Sequence, residues 1–187
     1  MYVESRDVIS QPVEVVYPLM RDHFDLIAPY LLSVKRIDRI KSERAEDGRL
    51  DVVNHWFAIA DMPGPVKKIL KPEMFSWKDY AHWDDEQRCV EYRLESFLAN
   101  DLYDANGTNY FARVGEGRCE IRVTCTVDIH ADRVPGVPKL VARKTKPIIE
   151  AAIKQLLAPN LRSVGKGVAA YFRDPKRVTT AAETARP

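Results

Sequence analysis

Alternation of apolar and polar side chains dominates the middle of the chain and predicts a series of antiparallel strands. The clearest run covers residues 118–129, where six apolar positions alternate with six polar ones. Successive side chains of a strand point to opposite faces, so this pattern predicts a sheet with one apolar face. Shorter alternating runs predict the remaining strands, at residues 2–9, 34–42, 49–60, 74–83, 89–98 and 108–114.

A helical spacing of apolar residues replaces this alternation near both ends of the chain. After the first strand, a helix is predicted with Ser10 as its cap and Pro12 near its first turn, and its apolar stripe includes Val13 and Val16. A second helical segment follows at 26–32. Near the C-terminus, residues 139–173 predict one long helix, which would span roughly 50 Å if straight. Its two internal prolines each remove a backbone donor and are expected to bend the helix or break it into pieces.

The order of these elements predicts an α+β fold, in which a curved antiparallel sheet of about six to seven strands wraps over the long C-terminal helix. One face of the sheet is apolar and must be covered, and only this helix is long enough to cover it. A curved sheet over a helix encloses more volume than the side chains fill, which is a typical place for a ligand site. We therefore expect an apolar cavity between the sheet and the helix.

Length and composition fit one soluble domain. The chain has 187 residues, of which 45% are hydrophobic and 30% charged, and we expect a single domain at 1–173 followed by a flexible tail at 174–187. No apolar run is long enough for a transmembrane helix, and the N-terminus lacks the apolar core of a signal peptide, which predicts a cytoplasmic protein. The three cysteines form no CxxC pair, which argues against a disulfide framework or a zinc site.

Two sets of features resemble known families. The element order, with the segment Pro135-Gly-Val-Pro-Lys-Leu-Val-Ala-Arg-Lys that leads into the last helix, resembles the helix-grip fold of the START-like and Bet v 1-like (SRPBCC) superfamily. This resemblance covers residues 1–173 and implies a hydrophobic-ligand pocket under the last helix, without identifying the ligand. Four further segments are similar in spacing to PRELI-like phospholipid carriers: Val34-Lys-Arg-Ile-Asp-Arg-Ile, Asp47-Gly-Arg-Leu, Pro63-Gly-Pro-Val-Lys-Lys-Ile-Leu and Glu91-Tyr-Arg-Leu-Glu-Ser.

The residues expected to line this pocket lie on the apolar faces of the middle strands and of the last helix. Aromatic residues crowd the middle strands, and their flat side chains suit rings or acyl chains, although they fill large cores equally well. Core burial alone also explains any single member of the set. The predicted ligand-binding residues are Trp56, Phe75, Trp77, Trp83, Tyr92, Leu94, Val123, Cys125, Ile149, Ile153, Leu156 and Leu157.

A short basic and apolar turn between prolines is a candidate contact with a membrane. Lys67 and Lys68 stand beside Ile69 and Leu70, so cations can meet anionic headgroups while the apolar side chains enter the lipid. We predict that this turn is a gate of the pocket or a transient contact with an anionic membrane surface. An ordinary helical turn between strands is the alternative.

No sequence motif for catalysis, metal binding or nucleotide binding is present. The sequence has no GxSxG, P-loop or GxGxxG pattern, its histidines lack HxxxH or HExxH spacing, and Asn106-Gly107 is interpreted as a turn. We therefore predict no catalytic residue, no metal and no cofactor, and the sequence leaves enzymatic activity open. The basic last helix needs its apolar stripe for the core, which argues against nucleic-acid binding.

These features favour a protein that binds a hydrophobic small molecule, such as a lipid, fatty acid or sterol, for transfer or for sensing. A second hypothesis is a cyclase- or hydrolase-like enzyme on the same fold, suggested by His55, Asp79, Tyr80 and His82 near the predicted pocket. A third is an interaction module with a filled core, whose basic helix face binds an acidic protein. It is suggested by residues 139–177, which hold ten Lys or Arg and two acidic residues.

Overall fold

The computed structural model describes residues 1–59, 76–96, 103–130 and 139–175. Within these ranges the chain forms seven strands: β1 (Tyr2–Ile9), β2 (Val34–Arg44), β3 (Leu50–Ala58), β4 (Ser76–Asp84), β5 (Cys89–Ser96), β6 (Tyr103–Arg113) and β7 (Cys119–Ile129). They form one antiparallel sheet with the order β1-β7-β6-β5-β4-β3-β2. The predicted α+β fold and its strand series are confirmed.

Two short helical segments follow β1. Helix α1 (Val13–Asp22) buries one face, and a 3-10 helix (Phe24–Tyr30) follows it closely. The predicted cap at Ser10 is wrong. Pro12 occupies the N-cap position without a side-chain hydrogen bond, and its carbonyl oxygen accepts from the amides of Val15 and Val16 at 3.0 and 3.1 Å. Ser10 lies two residues too early to reach those amides.

The long C-terminal helix α2 (Lys139–Arg173) has the predicted bounds. Pro147 and Pro159 both lie inside it, and the helix continues through them rather than breaking into pieces. Beyond Pro159, the buried side chains of Val164 and Val168 hold the helix against the rest of the molecule. This burial outweighs the loss of the backbone hydrogen bonds that proline cannot donate.

The interpretation of Asn106-Gly107 as a turn is wrong, because both residues lie inside β6, which begins five residues before the predicted start at residue 108. Gly107 pairs with Tyr92 on one side and with Cys125 on the other. A Cβ atom at Gly107 would lie 1.9 Å from the Thr124 carbonyl oxygen and 2.7 Å from the Tyr92 hydroxyl. Glycine is required here by close approach within the sheet, and not by a turn.

The core lies between the inner face of the sheet and the helices. Helix α2 contacts β1, β7 and the 3-10 helix. The helix approaches β1 closely at Gly165, where an added Cβ atom would lie 2.4 Å from the Cβ of Asp7. Across the described ranges, no helix is both long enough and apolar enough to cross a membrane.

Some predicted features lie outside the described residues. They are the turn with Lys67, Lys68, Ile69 and Leu70, the residue Phe75, the connector 135–138, and residues 176–187 of the predicted tail. The backbone of Ile149, Ile153 and Leu156 lies in α2, but their side chains are also outside the description.

Candidate functional site

An apolar cavity lies between the middle of the sheet and the second half of α2. Its wall on the sheet side comes from β3, β4, β5, β6 and β7, and α1, the 3-10 helix and α2 complete it. The cavity has a volume of about 50 Å³, which holds only a few water molecules.

Small residues on the sheet explain why space is left under the helix. Ala81, Tyr92, Gly107 and Cys125 form one row across the inner face of β4, β5, β6 and β7. Neither Ala81 nor Gly107 projects far from the sheet. The Tyr92 hydroxyl donates to the Thr124 carbonyl oxygen at 2.9 Å, so the ring lies over Gly107 and leaves the space above Ala81 open.

Aromatic side chains form much of the cavity wall. The rings of Trp56 and Trp77 stack with their centroids 5.6 Å apart, and Phe24 meets Trp56 edge-on at 5.1 Å. Trp83 lines the same cavity, where its ring is held by Tyr17 at 5.4 Å. These contacts fix the ring planes, so the wall is pre-formed.

One face of α2 closes the cavity. Its contributing residues are Leu157, Asn160, Leu161 and Val164, and their spacing of three and four places them on a single helical stripe. The predicted helix residue Leu157 therefore lies at the cavity, as does the polar residue Asn160, which the sequence pattern did not single out.

Asp79 is the only carboxyl group among the described residues that line the cavity. The side chain is buried, with 7% of its surface exposed. Its Oδ2 atom accepts from Asn54 Nδ2 and from Trp56 Nε1, both at 3.3 Å, and its Oδ1 atom has no hydrogen-bond partner among the described residues. Burial raises the pKa of Asp79 to about 6, although the two donors oppose this shift.

Trp83 Nε1 and Asn109 Oδ1 also line the cavity, and neither atom has a hydrogen-bond partner among the described residues. They belong to the row Trp83, Val90 and Asn109 on β4, β5 and β6. Asp79 lies four residues from Trp83 along β4, which is about 13 Å in a strand. Asp79 and this row therefore place polar atoms at two separate parts of the cavity wall on the sheet side.

Comparisons with known proteins agree on the fold. No family model matches the sequence, and no curated protein matches it. Solved structures do match. A protein of Thermus thermophilus superposes with a TM-score of 0.64 at 21% identity, over 97% of this chain and 99% of that one. The Zhui aromatase/cyclase of Streptomyces sp. R1128 gives 0.60 at 15% identity, over 92% and 96%. A point mutant of Thalictrum flavum norcoclaurine synthase gives 0.51 at 13% identity, over 92% and 96%.

The chain has the helix-grip fold of the START-like and Bet v 1-like superfamily. At these identities the similarity concerns the fold. The narrower resemblance to PRELI-like carriers stays a prediction, because one of the four segments that suggested it lies outside the described residues.

In this helix-grip protein, seven of the twelve predicted ligand-binding residues lie at the cavity. They are Trp56, Trp77, Trp83, Tyr92, Leu94, Val123 and Leu157. Cys125 is buried on the same face of the sheet, but it is not among the described residues that line the cavity. Burial raises the pKa of the Cys125 thiol to about 11, so it stays protonated at neutral pH. Phe75, Ile149, Ile153 and Leu156 are outside the described side chains.

Sequence reasoning missed several cavity residues. Ala81 shares the alternation of Trp77 and Trp83 along β4, and Val90 shares that of Tyr92 and Leu94 along β5, so this signal was sufficient to find both. Asp79 has the same alternation as Ala81, but the sequence named it only for the enzyme hypothesis. Asn109 was missed although it lies inside the predicted strand 108–114 and shares the alternation of Phe111, because a polar side chain adds nothing to an apolar pattern. The remaining ones come from elements whose place over the sheet is a tertiary feature: Met20, Phe24, Asn160, Leu161 and Val164.

Three of the four residues that suggested an enzyme lie on the outer face of the sheet. His82 Nδ1 is 2.6 Å from Asp51 Oδ1 on the outer face, and Arg93 covers the ring of Tyr80 at 4.5 Å. His55 stacks near Phe57, with ring centroids 4.0 Å apart. Only Asp79 reaches the cavity, so the described residues do not bring the predicted acid–base pair together there.

Proposed function

We propose that the protein binds a hydrophobic small molecule in the cavity between the sheet and α2. The observation that carries this proposal is an apolar space with aromatic walls, which has a single buried carboxyl group at its edge among the described residues. Such a space with few polar groups is the usual form of a small-molecule site. A filled core, as the interaction-module hypothesis requires, would leave no such space.

The size of the cavity favours some ligands over others. A cavity of about 50 Å³ suits a small ring or one chain end better than a two-chain lipid. Each methylene group buried in such a space contributes about 0.8 kcal/mol. Lipid transfer through contact of Lys67 and Lys68 with a membrane stays a prediction from the sequence, because these residues lie outside the described ones.

Filling the cavity from its wall tests the proposal. Ala81 lies at the centre of the sheet side and is buried, so Ala81→Leu projects a larger side chain into the space. We expect purified protein to release a co-purified hydrophobic compound in native mass spectrometry. We expect Ala81→Leu to weaken binding of that compound at least about tenfold, which corresponds to about 1.4 kcal/mol.

The matched control is Ala112→Leu, an exposed position on β6, which we expect to leave binding unchanged. Oleic acid, cholesterol, phosphatidylcholine vesicles and naphthylethanol serve as added probes on delipidated protein, with tryptophan fluorescence as the signal. The proposal is overturned if no compound co-purifies and no probe binds, or if Ala81→Leu and Ala112→Leu bind equally well.

A cyclase- or hydrolase-like activity is the second candidate, and one observation favours it. The Asp79 carboxyl group, with its pKa raised to about 6, is suited to proton transfer near neutral pH. If this activity exists, Asp79→Asn abolishes conversion of the co-purified compound while the compound still binds. Unchanged conversion in Asp79→Asn would rule out a role for this carboxyl group in catalysis.

A further inference from the structure

We propose that the ligand of this cavity is a hydrophobic amine, bound as its ammonium ion to Asp79 Oδ1 with its apolar part against Trp56 and Trp77. This inference rests on the proposed function and names the chemical class of the ligand. The inference depends on one arrangement. The buried Asp79 Oδ1 atom, which has no hydrogen-bond partner among the described residues, lies in the cavity wall with the stacked rings of Trp56 and Trp77.

The hydrogen bonds of Asp79 involve only one of its two carboxyl oxygens among the described residues. Asn54 Nδ2 and Trp56 Nε1 both donate to Oδ2, at 3.3 Å each. The Oδ1 atom is buried and accepts no hydrogen bond from the part of the chain that the structure describes. Buried polar atoms of native proteins nearly always have a partner, and an unsatisfied one costs about 1–3 kcal/mol. A ligand that fills this cavity therefore gains most if it brings a hydrogen-bond donor to Oδ1.

The negative charge of the Asp79 carboxylate favours a positively charged donor over a neutral one. Its burial and the two donors Asn54 and Trp56 act on this carboxylate, and no Lys, Arg or His does so among the described residues. A buried carboxylate without a counter-ion is costly, and pairing with a cation removes much of this cost. An ammonium group supplies both the positive charge and the hydrogen bond to Oδ1.

The walls of the cavity fit the rest of such a molecule. Trp56 donates to Asp79 through its Nε1 atom and stacks on Trp77 with an angle of 19° between the rings. The face of an indole ring attracts cations and also buries apolar carbon. The two rings can therefore contact both an ammonium group and the carbon atoms next to it. A neutral alcohol keeps the hydrogen bond and loses the charge, and a carboxylic acid anion is repelled by Asp79.

Three ligands of equal shape and different charge test the inference on the intact protein. Naphthylethylamine, naphthylethanol and naphthylacetate are titrated by calorimetry at pH 7.5. We expect the amine to bind at least about tenfold more tightly than the alcohol, because charge-assisted hydrogen bonds are worth about 1.5–3 kcal/mol. We expect the anion to bind most weakly of the three.

The decisive variant is Asp79→Asn, which keeps the shape and removes the charge. We expect it to lose the preference for the amine while its affinity for the alcohol changes less than about threefold, a difference of under 1 kcal/mol. Asp128→Asn is the matched control, since Asp128 is exposed on β7 and the net charge changes by the same amount. Circular dichroism confirms that each variant is folded.

The outcomes separate this inference from the proposed function. If the alcohol binds and Ala81→Leu weakens its binding, but the amine binds no better, the cavity function stands and the amine inference is overturned. The inference is also overturned if Asp79→Asn retains the preference for the amine. If none of the three compounds binds and the earlier probes fail too, the proposed function falls with it.

Discussion

Asp79 is the residue at which the stability of the unliganded protein and the proposed binding of a ligand oppose each other. It shares the inner face of β4 with Trp77, Ala81 and Trp83, so the sheet carries its carboxyl group into an apolar space. Burial then raises its pKa to about 6. A buried residue that destabilises the unliganded protein in this way is typical of a functional site.

Asp79→Asn is therefore expected to stabilise the unliganded protein near neutral pH. The pKa of Asp79 is raised from 3.8 to about 6 on folding, so the folded state binds this proton more tightly than the unfolded state does. As the pH rises through the folded pKa, wild type loses this advantage, and asparagine has none to lose. At pH 7.5 the variant gains about 3 kcal/mol at most, at about 1.4 kcal/mol per pKa unit.

Urea unfolding of both proteins between pH 4 and pH 7.5 measures this gain. The difference in unfolding free energy is expected to shrink as the pH falls below about 6 and to close near pH 3.8, because the Asp79 carboxyl group is then protonated in both the folded and the unfolded state. Other carboxyl groups titrate in both proteins and cancel in the difference. A variant that is less stable than wild type at pH 7.5 would contradict this account of Asp79.

Among the secondary-structure elements, β6 contains a pair of residues that usually forms a turn but here lies within a strand. The pair Asn106-Gly107 is typical of tight turns, yet β6 runs from Tyr103 to Arg113. Thr124 replaces one ladder interaction here: its Oγ1 atom donates to the Thr108 carbonyl oxygen at 2.9 Å and accepts from the Thr108 amide at 3.3 Å. The absence of a side chain at Gly107 makes room for this arrangement and for the Tyr92 hydroxyl.

Gly107→Ala is expected to destabilise the protein by about 2 kcal/mol or more, because overfilling a close contact typically costs about 1–3 kcal/mol. The added Cβ would lie 1.9 Å from a backbone oxygen, which cannot rotate away. Chemical denaturation measures the change. The control is Asn106→Ala on the exposed side of the same strand, expected within about 0.5 kcal/mol of wild type. Equal stability of Gly107→Ala and wild type would refute the close-approach explanation.

In the molecule as a whole, the position of α2 over the sheet determines whether a cavity exists. The helix lies close to the sheet at Gly165, beside Asp7 on β1. Tyr30 of the 3-10 helix donates to Asp174 at 2.6 Å, just beyond the end of α2. The helix is thus held at the edge of the sheet and at its own C-terminal end, while the cavity lies over the middle strands.

Gly165→Ala tests this close contact. Helix propensity alone predicts a gain of up to about 1 kcal/mol from the substitution, but the new Cβ would lie 2.4 Å from the Asp7 Cβ. We expect a net loss of about 1–2 kcal/mol in the unfolding free energy. Arg162→Ala, at an exposed position one turn earlier, is the control. A gain in stability for Gly165→Ala would show that α2 is not tightly held at this point.

The strands and α2 were predictable because their signals are local. The alternation over 118–129 and the helical spacing over 139–173 depend only on residues that are close together in the chain. The structure places β7 and α2 within one residue of those bounds. The cavity was predictable in part: the parity of Trp77 and Trp83 placed both at its wall. The same parity places Asp79 on the inner face of the sheet, but the burial of its carboxyl group depends on α2 and the neighbouring strands, which no local pattern specifies.

The element order, the apolar face of the sheet and the need for α2 to cover that face all follow from the amino-acid pattern alone. Three features depend on the packing of the folded chain: where the layers fail to meet, which side chains share the gap, and that Asp79 Oδ1 is left there without a partner. The physical reason is range. Periodicity reflects neighbours a few residues apart, whereas a cavity is the difference between the shapes of surfaces that lie as far apart in the chain as Met20 and Leu157.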